Sequence, residues 1–177
     1  QRTKTRSNTL FQKWYPTARI HSSYEIDYDR LYAEGIRGVI FDIDNTLVPH
    51  GAPADEKAVM LFERIRQAGL STCLISNNQA PRVSPFAEAV GSAFVYDAHK
   101  PSTREYRHAM EIMGTDEKST VFVGDQLFTD VWGANRTGIP SILVDPIHPK
   151  EEIQIVLKRY LERIVLHFYE KRKRTER

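Results

Sequence analysis

Two rhythms of hydrophobic and polar positions run along this chain. Ile36–Ile43 is rich in β-branched residues and runs into acids, which predicts a buried strand. Asp55–Ala68 carries apolar residues at 58, 59, 61, 62 and 65 with Gly69 behind them, which predicts a helix with a glycine cap. The pattern then predicts a strand over Leu70–Ile75, a short helix over Pro81–Ala89, a short strand over Ser92–Tyr96 and a helix over Ser102–Met113 before Gly114. A strand over Thr120–Val123, a helix over Thr129–Thr137 before Gly138 and a strand over Ile142–Val144 follow. Glu151–Tyr169 is the clearest helix, with Ile153, Val156, Leu157, Tyr160, Leu161, Ile164 and Phe168 along one face. Residues 1–35 are mixed, and Tyr15-Pro16 breaks any long helix there.

Strands alternating with helices predict an α/β fold, a parallel sheet of about five strands covered on both faces. No repeat, low-complexity tract or linker divides the chain, so one structural domain is expected. Within it, residues 1–35 form a basic, aromatic segment packing on the domain, 36–150 the core, and 151–177 an amphipathic helix with a basic tail. In such a sheet ligands bind beyond the carboxyl ends of the strands. There the polar residues gather: Asp42 and Asp44 after the first strand, Ser76, Asn77 and Asn78 after the second, His99 and Lys100 after the third, Asp125 and Asp130 after the fourth.

Composition narrows the class. The 177 residues are 41% hydrophobic and 27% charged, enough to bury a core without disulfides or a structural metal. No apolar run approaches the roughly 18 residues that span a bilayer, and no apolar stretch follows the basic N-terminal residues as a secretory leader would. Cys73 is the one cysteine, which fits a reducing compartment and, in mid-strand, an inert core residue.

The net charge of +2 hides an asymmetry. Residues 1–19 carry Arg2, Lys4, Arg6, Lys13 and Arg19 and no acid, and residues 158–177 also sum to +5, which leaves −8 for the middle. Solvated, frayed ends are one account. Attraction to an anionic membrane or nucleic acid is the other. Both ends carry aromatics, Phe11, Trp14 and Tyr15 at one and Phe168 and Tyr169 at the other, the combination that suits a membrane interface.

Asp42 and Asp44 are two apart and on a strand would face the same side. With Asp125 they cannot share a site as bare anions, and a hard divalent cation such as Mg²⁺ resolves the repulsion. Lys100 and the Ser76 hydroxyl then suit a phosphoryl group, whose transfer needs positioning and charge neutralisation.

Phe41-Asp42-Ile43-Asp44-Asn45-Thr46-Leu47 resembles the first motif of the haloacid dehalogenase superfamily. Ser76-Asn77-Asn78 resembles its second, Lys100-Pro101 its third, and Gly124-Asp125 with Asp130 its fourth, in the right order over residues 36–145. The resemblance implies a Rossmann-like domain of that superfamily and a phosphatase working through an aspartyl-phosphate. Asp42 is then the nucleophile and Asp44 the acid and base. Lys100 neutralises the phosphoryl charge. Thr46 braces the first motif within a substrate-binding set completed by Ser76, Asn77 and Asn78. Mg²⁺ is held by Asp42, the Asp44 carbonyl and Asp125, with Asp130 beside or behind them.

The superfamily's cap domains insert after the first motif or between the second and third. Val48–Ala54 leaves room only for a small flap, and Ser76 to Lys100 only for a helix and a short strand, so an uncapped site and a large substrate are expected. The Trp14-Tyr15-Pro16 region, Gly35-Ile36-Arg37-Gly38 and Ala98-His99-Lys100-Pro101 are similar to the uncapped YqeG-type branch, which is related to mitochondrial phosphatidylglycerophosphate phosphatases. That likeness implies hydrolysis of phosphatidylglycerophosphate and peripheral membrane contact on a cytoplasmic or organelle-matrix side, with no oligomer expected. Nucleic-acid ends or phosphoproteins are the alternative substrates, and a non-catalytic adaptor is the alternative role. His50 and His99 lie where they could touch substrate, and Arg82, just past the second motif, where it could meet a second phosphate; the alternative for each is a solvent-facing residue with no role.

Overall fold

The computed structural model describes residues 9–148 and 153–175, with side chains for 11–148 and 158–174. Arg2, Lys4, Arg6, residues Glu151–Glu152 of the expected last helix, and the side chains of Ile153, Val156 and Leu157 lie outside it.

Six parallel strands form one sheet. They are β1 (Ala18–Ile20), β2 (Gly38–Phe41), β3 (Ser71–Ile75), β4 (Ala93–Val95), β5 (Thr120–Gly124) and β6 (Ser141–Val144), in the spatial order β1-β6-β5-β2-β3-β4. The helices are α1 (Tyr28–Ala33), α2 (Glu56–Gln67), α3 (Ala80–Val90), α4 (Thr103–Met113), α5 (Trp132–Thr137) and α6 (Ile153–Thr175).

The central strands are buried on both faces, and their side chains sort with period two. Val39, Phe41, Leu74, Val121 and Val123 join one core with Ala58, Leu61, Phe62 and Ile65 of α2 and Val83, Phe86, Ala87 and Val90 of α3. Ile40, Cys73, Ile75 and Phe122 point the other way and join Tyr106, Ala109 and Met110 of α4 and Ala134 of α5. Asp55 caps α2, its carboxylate accepting from the Ala58 N–H at 2.8 Å. Gly69 ends that helix at φ +89°, and a Cβ there would lie 2.9 Å from the Tyr32 ring.

Three expectations change. The sheet has six strands, because Ala18–Ile20 adds to β6 with Ala18 opposite Ile142. Only three residues long and exposing Arg19, that edge strand has almost no periodic signal. The first core strand stops at Phe41, with Ile36 and Ile43 buried outside the ladder. The helix expected over Thr129–Thr137 is a π-helical turn, Leu127–Val131, followed by α5.

The described segments nearest the two ends meet. Phe11 stacks on Phe168 with ring centroids 5.5 Å apart, Tyr15 meets Tyr169 edge-on at 5.3 Å, and Trp14 lies against Phe128 and Trp132. These aromatics therefore pack on one another, contrary to their reading as interfacial anchors. On α6 the expected apolar face is also turned: Glu162, Val165 and Tyr169 are buried while Tyr160, Leu161 and Ile164 are exposed. The helix presents Arg159 and Glu162 to the domain, where they meet polar groups left by the β5 end.

Candidate active site

β2 and β5 are paired neighbours at the point where the chain changes direction across the sheet. The crevice beyond their carboxyl ends is where an open α/β sheet binds ligands. Asp42 is the first residue past β2, and its N–H still donates to the Val123 carbonyl at 3.0 Å. Asp125 is the first residue past β5.

Lys100 Nζ lies 2.5 Å from Asp42 Oδ1 and 2.7 Å from Asp130 Oδ1. The Thr46 hydroxyl lies 3.3 Å from both Asp42 Oδ2 and Asp125 Oδ1. Asp42, Asp125 and Asp130 are buried, and each offers an oxygen within 4.8 Å of the others. Gly124 is required here, since a Cβ would stand 2.5 Å from Asp130 Oδ2. The π-helical turn brings Asp130 back over β5, where its Oδ2 accepts from the Gln126 N–H at 3.2 Å.

Burial drives the electrostatics. It pushes the Asp42 and Asp125 carboxyls well above the usual carboxylate range, outweighing Lys100 beside one and Arg159 beside the other. Desolvation lowers the Lys100 ammonium, but Asp130 and Asp42 outweigh it and raise its pKa. A buried trio of carboxylates under this strain is short of positive charge. Its all-oxygen donor set fits a hard divalent cation.

Asp44 behaves differently. The strand has ended before Asp42, so the expectation that both carboxylates share a strand face does not apply. Asp44 Oδ1 accepts from the Gly51 N–H at 2.8 Å and from Arg82 Nη2 at 2.9 Å, and Oδ2 accepts from Asn78 Nδ2 at 2.7 Å. Its carboxylate stands outside the acidic trio; the expected ligand was its backbone carbonyl. Gly51 belongs to the short flap after the first motif. No cap is inserted: residues 45–55 separate Asp44 from α2, and α3 and β4 separate Ser76 from Lys100.

Ser76 Oγ accepts from the Asn78 N–H at 3.1 Å, and Asn77 Oδ1 accepts from the Lys100 N–H at 2.7 Å. The turn after β3 thus ties Lys100 on one side to Asp44 on the other. Asp42, Asp44, Ser76, Asn77, Asn78 and Lys100 line a cavity of 110 Å³, together with Asn45, His50, Gln126, Thr129 and Arg159. Thr46, Asp125 and Asp130 are held beside it by the bonds already given. His99 is exposed and outside the lining, and burial pushes the Cys73 thiol to about 12, as an inert core residue requires. A larger cavity, 990 Å³ between α2 and the segment 147–148, shares no residue with this one.

One residue near the second motif, Arg82, holds Asp44, where a contact with substrate phosphate or no role was expected, and one residue, Arg159, was missed. Arg82 sits on the first turn of α3, four positions after Asn78, a spacing that signals proximity to the second motif. Arg159 reaches in from α6, with Nη2 at 2.6 Å from Asp125 Oδ2 and Nη1 at 2.9 Å from the Asp125 carbonyl. Nothing in the local sequence marks it, since Arg159 and Glu162 read as an ordinary i,i+3 surface pair.

A family model described as HAD-hydrolase-like matches residues 98–152. A Bacillus subtilis (strain 168) protein named "Probable phosphatase YqeG" is 33% identical over 159 residues, 89% of this chain and 92% of that one. The chain belongs to the haloacid dehalogenase superfamily. Its phosphatase-named relatives make it a phosphatase of that superfamily. Phosphatidylglycerophosphate phosphatase 1, chloroplastic/mitochondrial, of Arabidopsis thaliana is 28% identical over 144 residues, 74% of this chain and 40% of that one. A solved structure from Listeria monocytogenes serotype 4b shares the fold at a TM-score of 0.54 and 18% identity, over 67% of this chain and 85% of that one.

Proposed function

We propose that this phosphatase hydrolyses the terminal phosphomonoester of phosphatidylglycerophosphate, with Mg²⁺ as cofactor and Asp42 as nucleophile. The observation that carries the chemistry is the contact between Asp42 and Lys100 inside the acidic trio. An Asp42 oxygen attacks phosphorus, the bond from phosphorus to the glycerol oxygen breaks, and Asp44 donates a proton to that oxygen. Water then attacks the aspartyl-phosphate, Asp44 takes its proton, and the bond to Asp42 breaks to release inorganic phosphate. Asp42, the Asp44 carbonyl, Asp125 and Asp130 are the residues that would hold Mg²⁺. When bound it neutralises charge building on the phosphoryl oxygens. Lys100 shares that task, the Thr46 hydroxyl bridges the Asp42 and Asp125 carboxylates, and Ser76, Asn77 and Asn78 border the phosphoryl position.

Three features support a lipid substrate. The site has no cap, so a bulky substrate can approach it. The Arabidopsis thaliana relative is named for this substrate. The outer side of α6 exposes Tyr160, Leu161 and Ile164 ahead of the basic run Lys171–Arg174. Such a face suits peripheral contact with an anionic bilayer, where each basic residue near the surface contributes about 1 kcal/mol. No described helix is long and apolar enough to cross a membrane.

The test is Mg²⁺-dependent phosphate release from phosphatidylglycerophosphate in mixed micelles, beside an aryl phosphate and a phosphorylated oligonucleotide, with Asp42→Asn as blank. Preference for the lipid is expected. Turnover of the oligonucleotide alone would transfer the site to nucleic-acid ends.

A further inference from the structure

The structure assigns to Arg159 the role of a positioning residue for Asp125, so that the C-terminal helix is part of the cation site. This inference rests on the reading of Asp125 as a Mg²⁺ ligand. The two Asp125 oxygens have different partners. Oδ1 lies 3.3 Å from the Thr46 hydroxyl, which also reaches Asp42 Oδ2, so Oδ1 faces the carboxylate trio. Oδ2 is taken by Arg159 Nη2 at 2.6 Å. The carboxylate is thereby held at both ends, one oxygen turned toward the cation position and the other away from it.

Arg159 is itself held. Its Nη1 meets the Asp125 carbonyl at 2.9 Å and Glu162 Oε2 at 3.3 Å. The other Glu162 oxygen accepts from the Leu127 N–H at 3.0 Å, two residues past Asp125. One turn of α6 therefore grips both ends of the segment that carries Asp125. The planar guanidinium fork suits this task, because it fixes the carboxylate plane as well as its charge. The Asp125 side chain is fully buried and that of Arg159 is 17% exposed, so the pair works away from solvent screening. Partners behind a ligand of this kind commonly set metal affinity.

The guanidinium does not spoil the charge balance. Among the described residues, Asp42, Asp44, Asp125, Asp130 and Glu162 face Lys100, Arg82 and Arg159, two negative charges in excess. A divalent cation and a phosphomonoester dianion enter together without changing it.

The test is calorimetric titration of Mg²⁺ into the full chain and into Arg159→Gln and Arg159→Lys. Melting temperature with and without Mg²⁺, and kcat and KM, are measured in parallel. Arg159→Gln should weaken Mg²⁺ binding roughly 10–100-fold. It should also shrink the Mg²⁺-induced rise in melting temperature beyond any loss in the metal-free protein. Arg159→Lys keeps the charge and loses the fork, and should recover part of the affinity; it also serves if the glutamine variant fails to fold. Loss of affinity should appear as a higher Mg²⁺ requirement, with kcat recovered at saturating Mg²⁺. Unchanged or tighter Mg²⁺ binding in both variants would overturn the role of Arg159 alone. Absence of Mg²⁺ binding by the unaltered chain would overturn the cation reading and this inference with it.

Discussion

Lys100 Nζ stands 2.5 Å from Asp42 Oδ1 with both side chains withdrawn from solvent, and Asp130 closes on the same ammonium from the other side. The lysine is the positive charge that lets two buried carboxylates coexist. Lys100→Met should therefore destabilise the fold by about 3–5 kcal/mol, the usual cost of leaving a buried charge uncompensated. Urea unfolding measures it. Adding Asp42→Asn should recover part of the loss, and strict additivity would refute the pairing.

Asp42→Asn should abolish phosphate release at every Mg²⁺ concentration. Asp44→Asn should lower kcat about 10²–10⁴-fold, the range for a lost general acid or base. Single-turnover quenching should then catch the reaction at or before the aspartyl-phosphate. A kcat near the unaltered value would remove Asp44 from proton transfer.

Arg82 fixes the direction of Asp44 with Asn78 and the Gly51 amide. Arg82→Gln should depress kcat, by up to about 100-fold if Asp44 moves by an ångström, with little change in KM. Steady-state kinetics separate the two parameters. A rise in KM alone would make Arg82 a substrate-binding cation.

Gly124→Ala should cost roughly 1–3 kcal/mol, because the new methyl group meets the Asp130 carboxylate and the Phe122 ring. The Asp130 carboxylate has to shift to admit it, so the variant should also need more Mg²⁺ for half-maximal rate. A fold as stable as the original, measured by denaturant midpoint, would contradict the close approach.

His21 and Asp145 predict a pH dependence away from the site. The Asp145 hydrogen bond raises the His21 pKa above its ordinary 6.5. Although partial burial opposes it, hydrogen bonds from His21 and Arg19 lower Asp145 below its ordinary 3.8. The histidine contribution is full below pH 6.5 and is lost as pH rises through the raised value. The aspartate contribution is full above pH 3.8 and is lost as pH falls through the lowered value. His21→Asn should therefore lower the melting temperature most between these limits and least above neutrality. A constant difference across pH would exclude the pair.

The strand ends of the candidate site were legible because each joins a buried apolar run to a polar residue: Phe41 to Asp42, Ile75 to Ser76, Gly124 to Asp125. Periodicity finds the run, and the change of polarity marks where it reaches the crevice at the sheet edge. β1 was not legible, because three residues centred on an exposed Arg19 carry no period, and the strand exists through its pairing with β6. The π-helical turn was also hidden, since five residues are too few for periodicity to tell a wide turn from an α-helical one, and that turn serves the Asp130 contact with Lys100. Arg159 lies 34 positions beyond Asp125, and only the docking of α6 brings the two together.

The pairing of Ala18 with Ile142 also orders events during synthesis. Residues 18–20 leave the ribosome early and find no sheet to join. Their partner strand emerges more than a hundred residues later, and Phe168, on which Phe11 stacks, later still. β2 to β6 can assemble by short crossover connections while the first segment waits, since long-range pairings close last. The N-terminal segment and α6 then dock together on an existing scaffold, so a chain cut before α6 would keep most of the sheet and lack the arginine behind Asp125.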